Sequence, residues 1–231
     1  MSDKKPKTKI LDDYFRHDLV ELLQGDRNIG VELGIAEGVF SERAWNSGKF
    51  RQYFGVDMYA DGHDTDQYKR ALKRLGIMNP GYRLLRMRFD QAVDLFEDRS
   101  LDFIYVDGYA HSGEEGGSTF VDWYRKLKIG GVFAGDDYDN AWPQVTASVD
   151  YFVSQVDETL LVTGKTEAEE FCKYPSWAIV KSKDVDVVAS PELVEKGKAD
   201  NRKQTRDHLR REMLTQLAPD WAKRLRRAVI G

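Results

Sequence analysis

Apolar positions along this chain follow two alternating rhythms. Short continuous or alternating runs predict strands at Ile29–Leu33, Tyr53–Val56, Tyr82–Met87, Leu101–Val106, Val132–Ala134, Thr159–Thr163 and Trp177–Lys181. Between them a helical period is expected from Ser41 to Trp45, over Asp66–Leu75, Gly117–Leu127 and Pro143–Val156, and Asp90 stands where it can cap a helix running to Phe96. Near the start, Ile10, Leu11, Tyr14, Phe15, Leu19, Leu22 and Leu23 also fall on a helical period, which Gly25 ends. Leu101–Val106 is almost wholly apolar, as suits a central parallel strand buried on both faces. Gly130–Gly131 reads as the tight turn before the fifth strand.

Strands that alternate with helices predict an α/β fold with a doubly wound, mostly parallel sheet, here of seven strands. The segment Gly164–Pro175 is too short for a helical crossover, so the last strand should run antiparallel, in a hairpin at the sheet edge. Residues 1–9, polar and lysine-rich, read as a flexible arm; residues 10–185 form the α/β domain; residues 186–231 form a basic helical extension. In that extension Leu209, Met213, Leu217, Trp221, Leu225 and Val229 make one apolar seam, with a break at Pro219. Such a seam docks on the body of the protein or on a second copy, so the extra terminal helices are the expected route to a homo-oligomer.

Composition narrows the class. A length of 231 residues suits one domain with a large core, and Cys172, the single cysteine, excludes an intrachain disulfide. The N-terminus lacks the apolar stretch of a signal peptide, and no run is long enough to cross a bilayer, so a cytoplasmic protein without membrane contact is expected. The net charge of −4 divides into +7 over residues 196–231 and −11 over the rest. An acidic body argues against a nucleic-acid partner.

The chemistry begins at Gly30–Ser41. An apolar strand carrying Glu32 turns on Gly34 and Gly38 into a helix, and the next strand ends in Asp57. Strand, glycine turn, helix, strand, acid is how an α/β sheet holds the adenosine of a cofactor, with the second acid on the ribose hydroxyls. The spacing is E-x-G-x-x-x-G, and Ala36 stands where a dinucleotide site wants a second glycine. Glu32 and Glu37 would repel a pyrophosphate but suit an amino acid's ammonium group. Met58 or Tyr59 is placed to pack on the adenine. Phe89 is a further candidate for the ring and Asp90 for its amino group, with the helix cap as the other reading of Asp90.

Two later segments add acids beyond strand ends: Ile104–Tyr105–Val106–Asp107–Gly108–Tyr109–Ala110–His111 and Leu127–Lys128–Ile129–Gly130–Gly131–Val132–Phe133–Ala134–Gly135–Asp136–Asp137–Tyr138. Ligands of open α/β sheets bind at that rim, and the fold would gather Asp57, Asp107, Asp136 and Asp137 there. Three carboxylates without cysteine suit a hard cation such as Mg²⁺. His111 is the candidate general base. His17 and His63 read as surface or packing residues, and Trp142 as core or acceptor-pocket wall.

These segments resemble motif I of the class I S-adenosylmethionine-dependent methyltransferases and, more closely, the type 24 methyltransferases related to the macrocin and rhamnosyl O-methyltransferases. The likeness runs from about Ile29 to Val156, with Asp107–Gly108–Tyr109–Ala110–His111 one residue longer than the commonest spacing. It implies a Rossmann-like methyltransferase fold, S-adenosylmethionine bound around Glu32, Gly34, Ala36, Gly38, Asp57, Met58, Phe89, Asp90 and Asp107, and Mg²⁺ held by Asp107, Asp136 and Asp137. It also implies catalysis by His111 and Asp107 on a hydroxyl of a small molecule, of sugar or natural-product type. Three other readings stay open: an adenosine-cofactor oxidoreductase, a non-catalytic or partner-dependent protein of the same fold, and a nucleic-acid methyltransferase suggested by the basic tail alone. The N/D-P-P-Y/F signature of amino-group methylation is absent, since that place reads Asp107–Gly108–Tyr109.

Overall fold

The computed structural model describes residues 6–60, 63–108, 117–167, 172–200, 202, 203 and 206. Its strands are β1 (Thr8–Leu11), β2 (Asn28–Leu33), β3 (Phe50–Asp57), β4 (Tyr82–Arg86), β5 (Leu101–Val106), β6 (Leu127–Gly135), β7 (Leu160–Thr163) and β8 (Trp177–Val180). The helices are α1 (Val39–Asn46), α2 (Thr65–Leu75), α3 (Phe89–Ala92), α4 (Ser118–Tyr124), α5 (Pro143–Val156) and α6 (191–200). A 3₁₀ helix spans Arg16–Leu22, and a 3₁₀ turn over Val93–Leu95 prolongs α3.

The strands form one sheet in the order β1-β7-β8-β6-β5-β2-β3-β4. All neighbours pair in parallel except β8, which is antiparallel to both β6 and β7. The doubly wound α/β fold and its reversed last strand are therefore as expected, with eight strands in place of seven. The added strand is β1. Lys9 and Ile10 pair with Leu161 and Val162, so residues expected in a mobile arm and a first helix extend the sheet instead. Ile10 is about half exposed there, at the sheet's edge. Only the later part of the expected first helix coils, as 3₁₀, and its Leu19, Val20 and Leu23 pack on the sheet.

Period-two alternation divides the core. Val31, Leu33, Ile104, Val106 and Phe133 point to the layer built by α3, α4 and α5, where Phe120, Trp123 and Phe152 pack. Tyr53, Phe103, Tyr105 and Ala134 point to the opposite layer, with Phe40 and Ala44 of α1, Leu75 of α2 and the 3₁₀ helix. Both faces of β5 are thus covered, which is why its sequence is apolar throughout. Gly130 and Gly131 lie inside β6, not before it. Leu101 pairs with Leu127 but Phe103 with Val132, so the extra residues bulge, and Gly130 takes φ +83°. Asp64 caps α2 by accepting from the amides of Asp66 and Gln67, so the helix opens just ahead of the expected Asp66. Arg88, not Asp90, is the N-cap of α3. The seam from Leu209 to Val229 lies outside the described residues.

Candidate active site

The strand order reverses between β2 and β5, and the turns after these two strands touch. Gly34 donates its amide to the carbonyl of Val56 (2.9 Å), and Asp107 donates its amide to that of Leu33 (2.7 Å). Gly34 has φ +97°, and a Cβ built there would stand 1.7 Å from the carbonyl oxygen of Asp107. Only glycine fits, because it tolerates the left-handed backbone and leaves room for the neighbouring chain. Gly38, at φ +78°, is the N-cap residue of α1, and Ala36, at φ +46°, shapes the loop between them.

Asp57 closes β3 beside this loop and is 4% exposed. Its Oδ2 accepts from the amides of Ile35 (3.0 Å) and Ala36 (3.2 Å), and its Oδ1 from the amide of Tyr59 (2.9 Å). His63 Nδ1 lies 2.8 Å from Oδ2. Burial works to raise the Asp57 pKa, but His63 and the amides of Ile35 and Tyr59 outweigh it, and the carboxyl stays below its ordinary range. His63, expected to be a surface or packing residue, is thus a member of the site. Its position six residues past Asp57 is the one signal the sequence offered.

Glu32, expected to face a ligand's ammonium group, is enclosed behind α1. Period-two alternation turns it away from Val31 and Leu33 into the layer under α1, where it is 1% exposed. Its Oε2 accepts from Ser41 Oγ (2.5 Å) and Tyr53 Oη (3.3 Å), and Tyr82 Oη donates to Ser41 Oγ (3.0 Å). Burial pushes its pKa up to about 8. A neutral, enclosed carboxyl does not meet a ligand's ammonium group; it supports α1 from behind. Asp90 lies on the exposed side of α3 in a two-pronged pair with Arg88 (2.9 Å each). Phe89 does reach the rim, its ring filling the space that a side chain at Gly108 would need. Met58 is half-buried, and its carbonyl accepts from Arg86 Nε (3.4 Å).

The three other acids meet. Ligand oxygens of Asp107, Asp136 and Asp137 lie within 4.8 Å of one another, at the ends of β5 and β6. Between the first two stands a residue the sequence reading passed over, Arg16. Its Nη2 is 2.6 Å from Asp107 Oδ2 and its Nη1 2.8 Å from Asp136 Oδ2. The guanidinium also lies over the rings of Phe40 (4.8 Å) and Tyr105 (5.2 Å). Burial opposes its charge, but Tyr105, Asp136 and Asp107 more than compensate, so it stays protonated. Ser176 Oγ donates to the other oxygen of Asp136 (2.7 Å).

Asp137 differs from its neighbours. It holds φ +58°, a conformation uncommon for residues other than glycine, and among the described residues no donor meets its carboxylate. Burial, then the charges of Asp136 and Asp107, raise its pKa to about 7. Trp142, a short way along the chain, meets Tyr174 edge to face, ring centres 5.9 Å apart. His111, with Tyr109 and Ala110, lies outside the described residues.

Comparison with known proteins agrees with this fold. A family described as a methyltransferase domain, type 24, matches residues 29–138, from β2 to just past Asp137. The N-methyltransferase NodS of Bradyrhizobium japonicum superposes with a TM-score of 0.53 at 16% identity, over 73% of this chain and 95% of its own. An rRNA methylase of Streptococcus thermophilus gives 0.50 at 15% identity, over 72% and 94%. A Staphylococcus aureus protein assigned as a caffeoyl-CoA O-methyltransferase gives 0.50 at 13% identity, over 66% and 76%. These likenesses are of fold, and their acceptors span nitrogen, oxygen and RNA. No curated protein matches the sequence. The fold and the rim define an S-adenosylmethionine-dependent methyltransferase of class I. Within that class, residues 29–138, just under half of the chain, match the type 24 methyltransferase family.

Proposed function

We propose that this protein transfers the methyl group of S-adenosylmethionine to a hydroxyl of a small molecule at the rim formed by Asp107, Asp136 and Asp137. The observation that carries the reading is Asp137, a carboxylate without a donor from the described chain, whose pKa of about 7 suits it to accept a proton near neutrality. The acceptor oxygen attacks the methyl carbon, the carbon–sulfur bond breaks, and S-adenosylhomocysteine leaves as a neutral thioether. The hydroxyl proton passes to Asp137. His111 is the second candidate for that role. Asp57 would hold the donor's ribose hydroxyls, which would compete with His63 for the carboxylate.

Magnesium assistance, expected from the acid trio, does not fit the arrangement. Arg16 holds one oxygen of Asp107 and one of Asp136, and Ser176 holds the second oxygen of Asp136. An ion bridging the two acids through those oxygens would collide with the guanidinium, and one placed beside it would face a fixed positive charge. The acidic body supports a small-molecule acceptor over a nucleic acid. Among the described residues no helix is long and apolar enough to cross a membrane, which is compatible with the cytoplasmic setting we propose.

The test is a screen of hydroxylated and amino acceptors with isotopically labelled donor, with the methylated atom located by NMR. Label on oxygen, lost in Asp137→Asn, is the expected result. Label on nitrogen, or on RNA alone, would replace this reading.

A further inference from the structure

We infer that Arg16 is the resident cation of the acid cluster and a positioning residue for methyl transfer, built in where a divalent ion would otherwise bind. The inference rests on the proposed methyl-transfer reading and goes beyond it.

Three observations point the same way. The guanidinium makes two short bonds to two acids from different strands, at 2.6 Å to Asp107 and 2.8 Å to Asp136. Such charge-assisted bonds from a planar fork fix both the distance and the angle between the carboxylates. The side chain is 8% exposed and lies against Phe40 and Tyr105, so it is held from behind by rings that hinder its swinging away. Its backbone belongs to the 3₁₀ helix Arg16–Leu22, whose Leu19 and Val20 are fully enclosed in the core. The cation is therefore anchored as firmly as the acids it joins.

The consequence is chemical. Three carboxylates so close repel one another, a repulsion that a bound cation would relieve. Arg16 relieves it with a permanent charge that neither dissociates nor needs supply. It ties one oxygen of Asp107 and one of Asp136 to the guanidinium and leaves the Asp137 carboxylate outside that pairing. A lysine in its place would keep the charge but lose the fork; a glutamine would lose the charge.

Mn²⁺ titration followed by electron paramagnetic resonance tests this on the full chain. The wild type should show no saturable site below the millimolar range. Arg16→Gln should gain one equivalent, and Arg16→Gln/Asp137→Asn should lose it again. Arg16→Lys should exclude the ion as the wild type does, a distinction between lysine and glutamine that a merely structural role would not produce. A one-to-one site on the wild type that disappears in Asp137→Asn overturns the inference, and needs no Arg16 variant to be read. A folded Arg16→Gln that takes up no Mn²⁺ overturns it as well. Calorimetry with S-adenosylmethionine in chelator separates the two levels. Absence of donor binding by the wild type defeats the methyl-transfer reading, while the Mn²⁺ outcomes still decide whether Arg16 occupies a cation site.

Discussion

His63 Nδ1 stands 2.8 Å from Asp57 Oδ2, on the carboxylate that the strand–turn–helix pattern reserves for a ribose. The oxygen it touches already accepts two amides of the glycine loop, so a ribose hydroxyl must displace the imidazole to bind well. His63→Ala should therefore tighten S-adenosylmethionine binding by a few-fold, whereas Asp57→Ala should weaken it by at least about 100-fold, the loss expected when a charged hydrogen-bond partner is removed. Calorimetric titration of the two variants reads both. Weaker binding by His63→Ala would mean that the histidine contacts the donor instead of competing with it.

Gly34→Ala tests the close approach of the two turns. The new methyl group would lie 1.7 Å from the Asp107 carbonyl oxygen, in a backbone of φ +97°. Both the clash and the left-handed conformation act against alanine, and the loss should be roughly 2–4 kcal/mol. Urea unfolding of the variant measures it. A loss below 1 kcal/mol, on the order of a surface change, would show that the turn relaxes and that Gly34 is not fixed by packing.

Much of this arrangement is legible in the sequence because it is written locally. Leu101–Val106 and Pro143–Val156 match β5 and α5 to the residue, the first as a nearly unbroken apolar run and the second as a helical period opened by proline. The gathering of Asp107, Asp136 and Asp137 follows from strand parity and the rim rule. What escaped depends on distant partners. Ile10 and Leu11 suit a helix by spacing, yet they join a strand more than a hundred residues later, and nothing local announces that pairing. Arg16 is one arginine among many until the chain brings it across 91 residues to Asp107 and 120 to Asp136. Glu32 is a different case. Its neighbours Val31 and Leu33 are core residues of one face, so alternation already assigned it to the other, and the motif spacing alone misdirected the reading.

Glu32 also makes stability depend on pH. Its folded pKa of about 8 lies above the ordinary 4.5, because burial disfavours the charged form. Between those values the folded chain keeps a proton that the unfolded chain has released. Raising the pH through that window therefore destabilises the fold, by up to about 1.4 kcal/mol per unit, until the folded group also ionises and the loss levels off. Glu32→Gln, which mimics the protonated group, should remove that decline. Unfolding curves from pH 5 to pH 8 (roughly the span of the two pKa values) compare the two proteins. An unchanged slope in the variant would assign the pH dependence to another group.

Asp137 is where structure and chemistry are most closely joined. A residue held at φ +58° next to a buried ion pair is set by its surroundings and not by its own preference, and such conformations gather at functional sites. Asparagine tolerates the same backbone, so Asp137→Asn should fold normally while losing the ability to take a proton. With an acceptor found by the screen, its kcat should fall roughly 10²–10⁴-fold, the usual worth of a general base. Donor affinity should stay close to the wild type, since the ribose acid Asp57 is untouched. Single-turnover kinetics beside a donor titration separates the two effects. Loss of donor binding together with rate would place Asp137 in the cofactor pocket. An unchanged rate would leave His111 as the base, and His111→Ala would then carry the full loss.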